Sequence, residues 1–234
     1  MDLILHSLSI VIPFYNEPEN STKVHEILQK VKIENTSWIL VDNGSTDGLT
    51  LRNLPTLENV IIVRLESNFG FGGGIKEGLK VAESDFVSWM PGNLKVHPLA
   101  PRIMLDRFLL SNNLHSDTFI KAKREGRTPS ASMKTSLSSL IISTLAGKKL
   151  TDIGGTPTII QHKYIEKVLK TPHDYIFELA CYLILLDSKC KEIRISSPYF
   201  SRIFGKTHWQ YGLKPELQLL VKQIKYIIKY RAYN

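Results

Sequence analysis

The sequence predicts an α/β fold, a Rossmann-like half built on a mixed, mainly parallel sheet, followed by an amphipathic helix at the end of the chain. Three observations carry this expectation. Two short apolar stretches, SIVIPFYNE and WILVDNGSTDG, lie about thirty residues apart and each runs straight into a polar turn. Strand and helix signals alternate through the first half. Residues 216–231 separate Leu217, Leu220, Val221, Ile224, Ile227 and Ile228 from Lys222, Lys225 and Lys229 around a helical wheel.

Each element follows from local pattern. Residues 9–14 form a first strand, and residues 20–31 a helix with Val24, Ile27, Leu28 and Val31 on one side. Residues 38–41 and 60–65 give the second and third strands; residues 74–82 give a helix, with Ile75, Leu79 and Ala82 inward; residues 86–90 give a fourth strand. Beyond Pro98 a helix is expected over 101–110, a strand over 118–121 and a basic loop reaching Pro129. Residues 130–145 read as a helix despite their serines, because Met133, Leu137, Leu140, Ile141 and Leu145 keep helical spacing. A buried helix over 176–186, a strand over 191–195 and a turn over 196–205 complete the body.

With 234 residues, 43% of them hydrophobic, the chain fits one sizeable domain. The net charge of +8 is concentrated: residues 121–134 carry five basic and one acidic side chain, residues 202–231 seven and one. A phosphate-rich ligand suits the first segment and an anionic membrane surface the second. Charge alone also permits nucleic acid, but no nucleic-acid-binding motif accompanies it. Cys181 and Cys190 are too few for a disulfide framework or zinc site, which fits a reducing, cytoplasmic compartment. The apolar start has no basic leader and flows into the first polar turn, so it reads as a strand and not a signal peptide. No stretch is long and apolar enough to span a bilayer.

The first two strands place Asn16, Glu17, Asp42 and Asn43 at neighbouring carboxyl ends, the crevice where open α/β sheets hold ligands. Asp42 has a plain alternative as a turn former in DNGSTDG. The run Gly70, Gly72, Gly73, Gly74 lacks the glycine that a dinucleotide fingerprint needs, since Ile75 stands there, and it follows the third strand; no nicotinamide cofactor is expected.

Five blocks in order, IVIPFYNE, ILVDNGSTDG, NFGFGGGIKEG, LTDIGGTPTII and RIFGKTHW, resemble the family 2 glycosyltransferases of the GT-A fold, nearest in pattern to the dolichol-phosphate mannosyltransferase-like group. The resemblance implies a GT-A domain over 1–210, with a nucleotide-sugar half at 1–98 and an acceptor half at 99–210, then the basic helix over 211–234. It implies inverting transfer of a sugar from a UDP- or GDP-sugar to a polyprenyl phosphate or a saccharide in glycan or surface polysaccharide synthesis, at the cytoplasmic face of a membrane. Pro13, Tyr15, Glu17 and Asp42 are then expected around base and ribose, with Asn68 and Gly70 in a turn that lets backbone approach the nucleotide.

The family's metal-binding Asp-x-Asp is replaced by Met90-Pro91-Gly92-Asn93-Leu94. Pro91 has no ligand atom and Asn93 is neutral, so Mg2+ or Mn2+ at Asn93 is expected to be weak or absent. Lys95, with His97 nearby, is expected to supply part of the missing positive charge. A non-catalytic nucleotide-sugar-binding subunit is the alternative that this degenerate motif raises, and a membrane-recruited interaction domain is a third.

FIKAKREGR matches the family's basic block at Lys121, Arg124 and Arg127, with Ala122 in place of glycine; there the arginines hold phosphate, and Arg127 is expected among the catalytic residues. Asp152 and Glu178 stand at the family's acidic positions and are candidate general bases for a hydroxyl acceptor, whereas a phosphate acceptor needs none. Thr156 and Thr158 replace the glutamine and lysine of the mannosyltransferases. In the closing block Arg202 and Lys206 are expected to reach phosphates, with His208 and Trp209 over the sugar.

Overall fold

The computed structural model describes residues 6–111, 117–202, 204 and 213–233. Strand β1 (Leu8–Phe14) sits between β2 (Thr36–Asp42) and β4 (Phe86–Trp89), parallel to both, and β2 pairs in parallel with β3 (Val60–Arg64). Strands β1 and β2 are largely apolar and buried at all but one position each, as parallel strands covered on two faces must be. The register sets Phe14 opposite Asp42, so the two polar turns leave the sheet side by side.

The sheet continues through β6 (Thr158–Gln161), β5 (Thr118–Glu125) and β7 (Lys191–Pro198), giving the order β3-β2-β1-β4-β6-β5-β7. Only β6 runs against the rest. It is also the strand that the sequence did not announce: TIIQ is four residues long, too short for a period, and it follows a Gly-Gly-Thr-Pro stretch that reads as loop. β5 extends past residue 121 to Glu125, because β7 pairs with it over eight positions and draws the basic segment into the sheet.

Helices α1 (Pro18–Gln29) and α3 (Ala100–Ser111) serve one face, where Ile10, Ile12, Leu28, Trp38, Met104 and Phe108 form a core. On the other face α2 (Gly70–Leu79), α4 (Pro129–Ala146), α5 (Ile165–Leu169), α6 (Phe177–Asp187) and α7 (Leu213–Tyr233) close over Val11, Val41, Trp89, Phe119 and Leu183. Helix α4 opens on Thr128, whose hydroxyl accepts from the Ala131 amide, and stops at Gly147 in the left-handed region.

One expectation changes here. Helix α2 begins at Gly70 and not at residue 74, so the glycine run lies within the helix and serves packing. A β-carbon at Gly72 would meet Phe177 Cβ at 2.6 Å and its ring at 2.8 Å, and one at Gly74 would meet Asn43 at 3.0 Å. Gly78 is tighter still, with Val11 Cγ1 at 2.4 Å from the same construction. Gly78→Ala should therefore lower stability by about 1–3 kcal/mol through overpacking, despite alanine's helix preference; an unchanged denaturant midpoint would refute this account. Helix α4 forms where expected, with Met133, Leu137 and Leu140 71%, 61% and 63% exposed and Ser139 and Ile142 facing the core.

Candidate active site

The site is built where β1, β2, β4, β5 and β7 end together. Asn16, with φ of 50°, receives the Thr46 amide on Oδ1 at 2.8 Å and donates its own amide to Ser45 Oγ at 3.0 Å. These bonds lace the first polar turn to the second. Asp42 is buried; one carboxylate oxygen accepts from the Ser45 amide at 2.9 Å, and the other faces Arg52 at 4.0 Å. The Asn43 side chain donates to Asn68 Oδ1 and the Gly70 carbonyl, and Asn68 in turn accepts from the Gly70 amide at 2.7 Å. Pro13 and Tyr15 lie half-buried beside these turns. Glu17 caps the start of α1 and pairs with both Asn20 and Arg202, joining the first turn to the segment that follows β7. Lys206, His208 and Trp209 lie outside the described residues.

The loop after β4 takes the shape its residues dictate. Gly92 lies against the Phe14 ring, where a β-carbon would approach to 2.4 Å. Asn93 turns its Oδ1 onto the Lys95 amide at 3.2 Å, and Leu94 holds a φ of 55°. The Lys95 carbonyl accepts from the Phe200 amide at 2.8 Å, which pins this loop to the strand exit of β7. This loop offers a divalent cation no carboxylate. Pro91 offers no donor atom, Asn93 has its oxygen engaged by the backbone, and no cluster of three His, Cys, Asp or Glu side chains exists among the described residues.

Positive charge gathers there instead. The Lys95 ammonium lies 5.8 Å from the centre of the Tyr199 ring and the Arg124 guanidinium 5.3 Å from it. Arg124 grips Asp152 with two nitrogens, Nε at 2.9 Å among them, while Arg127 stands 3.7 Å from the same carboxylate. Arg127 is braced in turn by the Ala131 carbonyl and Thr135 hydroxyl in the first turns of α4. Burial raises the Asp152 carboxyl, but hydrogen bonding and charge from Arg124, then Arg127 and Arg194, outweigh it and hold the group below the ordinary carboxylate range.

Glu178 departs from its expected place as a base. Its two oxygens accept from Trp89 Nε1 at 2.7 Å and Lys121 Nζ at 3.1 Å, and Lys121 also donates to Thr158 Oγ1 at 2.9 Å. With Lys121 only 1% exposed, this is an interior charge pair rather than a lining of the pocket. Lys121 thus parts from Arg124, which lies three residues on and so on the opposite face of β5, and from Arg127, which lies beyond the end of the strand. Sequence reasoning missed Tyr199, which lay in a stretch read as plain turn, and missed that Thr158 belongs to a strand.

The glycosyl transferase family 2 model matches residues 9–169, which takes in the whole edge from β1 through β6. The chain belongs to glycosyl transferase family 2. Solved structures agree on the fold. Glucosyl-3-phosphoglycerate synthase from Mycobacterium tuberculosis, in complex with Mn2+, UDP and glucosyl-3-phosphoglycerate, superposes with a TM-score of 0.68 at 16% identity, over 97% of this chain and 80% of that one. The same synthase with Mg2+ and UDP gives 0.65 at 14%, over 97% and 79%. A further mycobacterial protein gives 0.67 at 18%, over 97% and 75%. This chain is accordingly a glycosyltransferase of GT-A architecture.

Proposed function

We propose that this glycosyltransferase moves a sugar, with inversion, from a UDP- or GDP-sugar to an acceptor whose nucleophile is a phosphate oxygen, a polyprenyl phosphate being the type that suits it. The observation that carries this is the state of Asp152. A carboxylate clamped by two guanidinium groups and held ionised is a poor proton acceptor. A hydroxyl acceptor must lose its proton as the bond forms, whereas a phosphate oxygen arrives ionised and needs no base. Asp152 then acts as a positioning residue that aims Arg124 and Arg127 at phosphate. The resemblance to the synthase neighbours supports a UDP-type donor, and one of them is bound to glucosyl-3-phosphoglycerate, a phosphate-bearing molecule.

In this reading Pro13, Tyr15, Glu17 and Asp42 surround base and ribose, with Asn68 and Gly70 at the rim of α2. The acceptor oxygen forms a bond to the anomeric carbon while the bond to the nucleoside diphosphate breaks, and the electron pair leaves with the diphosphate. Lys95, Arg124 and Arg202 supply the charge that receives it. No step is routed through a metal. Glycan assembly at a membrane's cytoplasmic face is the setting this reading implies.

Calorimetric titration of UDP- and GDP-sugars, with magnesium or manganese and again with chelator, tests the donor side. One donor should bind, with affinity changed less than about threefold by chelation, the protein's own cations holding the diphosphate in both cases. Strictly metal-dependent binding would overturn the role given to Lys95. Binding of a donor with no transfer to any phosphate or saccharide acceptor would favour a non-catalytic binding subunit.

A further inference from the structure

We infer that α4 and α7 together form a docking surface for an anionic lipid bilayer. Met133, Leu137 and Leu140 form a stripe along α4, and Leu217, Val221 and Ile228 a second along α7, where those three are 61%, 42% and 63% exposed. Apolar patches of this kind on a soluble face mark contact sites. Two contacts set the helices side by side and running the same way. Lys134 pairs with Glu216 at 3.1 Å near their starts, and Arg231 donates to the Leu145 carbonyl at 3.0 Å near their ends.

The wheel then fixes the faces. At about 100° per residue, Lys134 lies roughly 100° round α4 from its stripe, and Glu216 roughly 120° the other way round α7 from its own. Since Lys134 and Glu216 point at each other, the two stripes face the same side, away from the core that takes Ile142, while Ile227 turns toward α4. Together they make one apolar strip two helices wide.

Charge decides what covers it. Lys222, Lys225 and Lys229 are exposed and flank the α7 stripe, while the nearby acid, Glu216, is already paired with Lys134. A second copy docking by twofold symmetry would bring these lysines against their own counterparts. An anionic bilayer takes the apolar strip and attracts the lysines together. Among the described residues no helix is long and apolar enough to cross a membrane, so the contact is lateral. Helix α4 starts two residues after Arg127 and braces that side chain through Ala131 and Thr135, so a docked α4 carries Arg127 at its first turns. A lipid-borne phosphate would reach it from a docked protein; that last step rests on the function proposed above, while the docking itself does not.

The test is co-sedimentation of the full chain with vesicles of phosphatidylcholine alone and of phosphatidylcholine mixed with phosphatidylglycerol, at low and high salt. Binding is expected to the mixed vesicles, weakened by salt. It should fall about a hundredfold in a Lys222→Glu, Lys225→Glu, Lys229→Glu variant, and comparably in a Met133→Ser, Leu137→Ser, Leu140→Ser variant. Both sets are on exposed positions, and a thermal melt matching the parent shows that folding survives. Donor titration of the same variants separates the two readings: vesicle binding lost with donor affinity intact supports docking as an independent property. No binding to mixed vesicles, or binding undiminished by either variant, overturns the inference. So does a dimer in sedimentation velocity that the serine variant dissociates.

Discussion

Arg124→Ala lowers kcat/KM for sugar transfer by about a hundredfold or more, the scale seen when one preorganised donor to a developing charge is removed. The guanidinium is placed by three features: β5 carries it to the sheet edge, Asp152 takes two of its nitrogens, and the Tyr199 ring lies beneath it. Arg124→Lys should recover little, because a point charge cannot reproduce the planar fork that spans a carboxylate and still faces a phosphate. The measurement is steady-state transfer with donor and acceptor varied separately. A loss confined to one of the two tells which phosphate the residue holds, and near-parental kinetics with either would remove Arg124 from the machinery.

Asp152 supplies the companion experiment. If it were a base, the rate would rise with pH along a limb that Asp152→Asn abolishes. As a positioning residue it should leave the shape of the profile unchanged while lowering its height, and KM for the phosphate substrate should rise. Its effect on stability has a definite sign. The folded carboxyl titrates below its ordinary value of 3.8, so the pair contributes fully above the unfolded value and loses its contribution as pH falls through the folded one. Asp152→Asn should therefore narrow the gap between melting temperatures near neutrality and in acid.

The parallel half of this fold was legible because its signals are redundant. Apolar runs such as IVIPF and WILV are long enough to show as buried strands, and each ends in residues that favour turns. The second half was less so, for physical reasons that differ by element. β6 is held by neighbours on both sides, Phe86 opposite Gln161 and Ile120 opposite Ile159, and four residues need no pattern of their own when flanking strands supply the pairing. The α4 stripe has correct helical spacing, yet spacing identifies a face without saying what it meets. At the candidate site, residue types suggest the sheet edge, but their partners are set by three-dimensional register. Asp152 and Arg124 are far apart in sequence, and nothing in either segment specifies that one neutralises the other. Glu178 was the sharpest departure, since its helix is apolar all round and an acid there has to be paired.

Glu178→Ala should be the most destabilising of the substitutions considered, at about 3–5 kcal/mol, because it strands a buried ammonium. Lys121 would keep the Thr158 hydroxyl and the Tyr182 ring 5.4 Å away, neither of which replaces a carboxylate. For a chain of this size the melting temperature should drop by about ten degrees. Glu178→Gln leaves an acceptor for Trp89 and should fall between. Adding Lys121→Met to that glutamine removes the orphaned charge and should regain much of the loss, since apolar replacements of buried pairs are often well tolerated. A single alanine variant that melts like the parent would show that water reaches the pair. The network also has a bearing on chemistry. Trp89, Thr158 and Lys121 come from the three adjacent strands β4, β6 and β5, so Glu178 fastens the seam where the parallel half meets the rest. The Met90-to-Lys95 loop leaves directly from Trp89, and Arg124 stands three residues beyond Lys121. Loosening the seam should thus shift the cations of the two halves relative to one another, and the double variant should recover stability further than it recovers kcat.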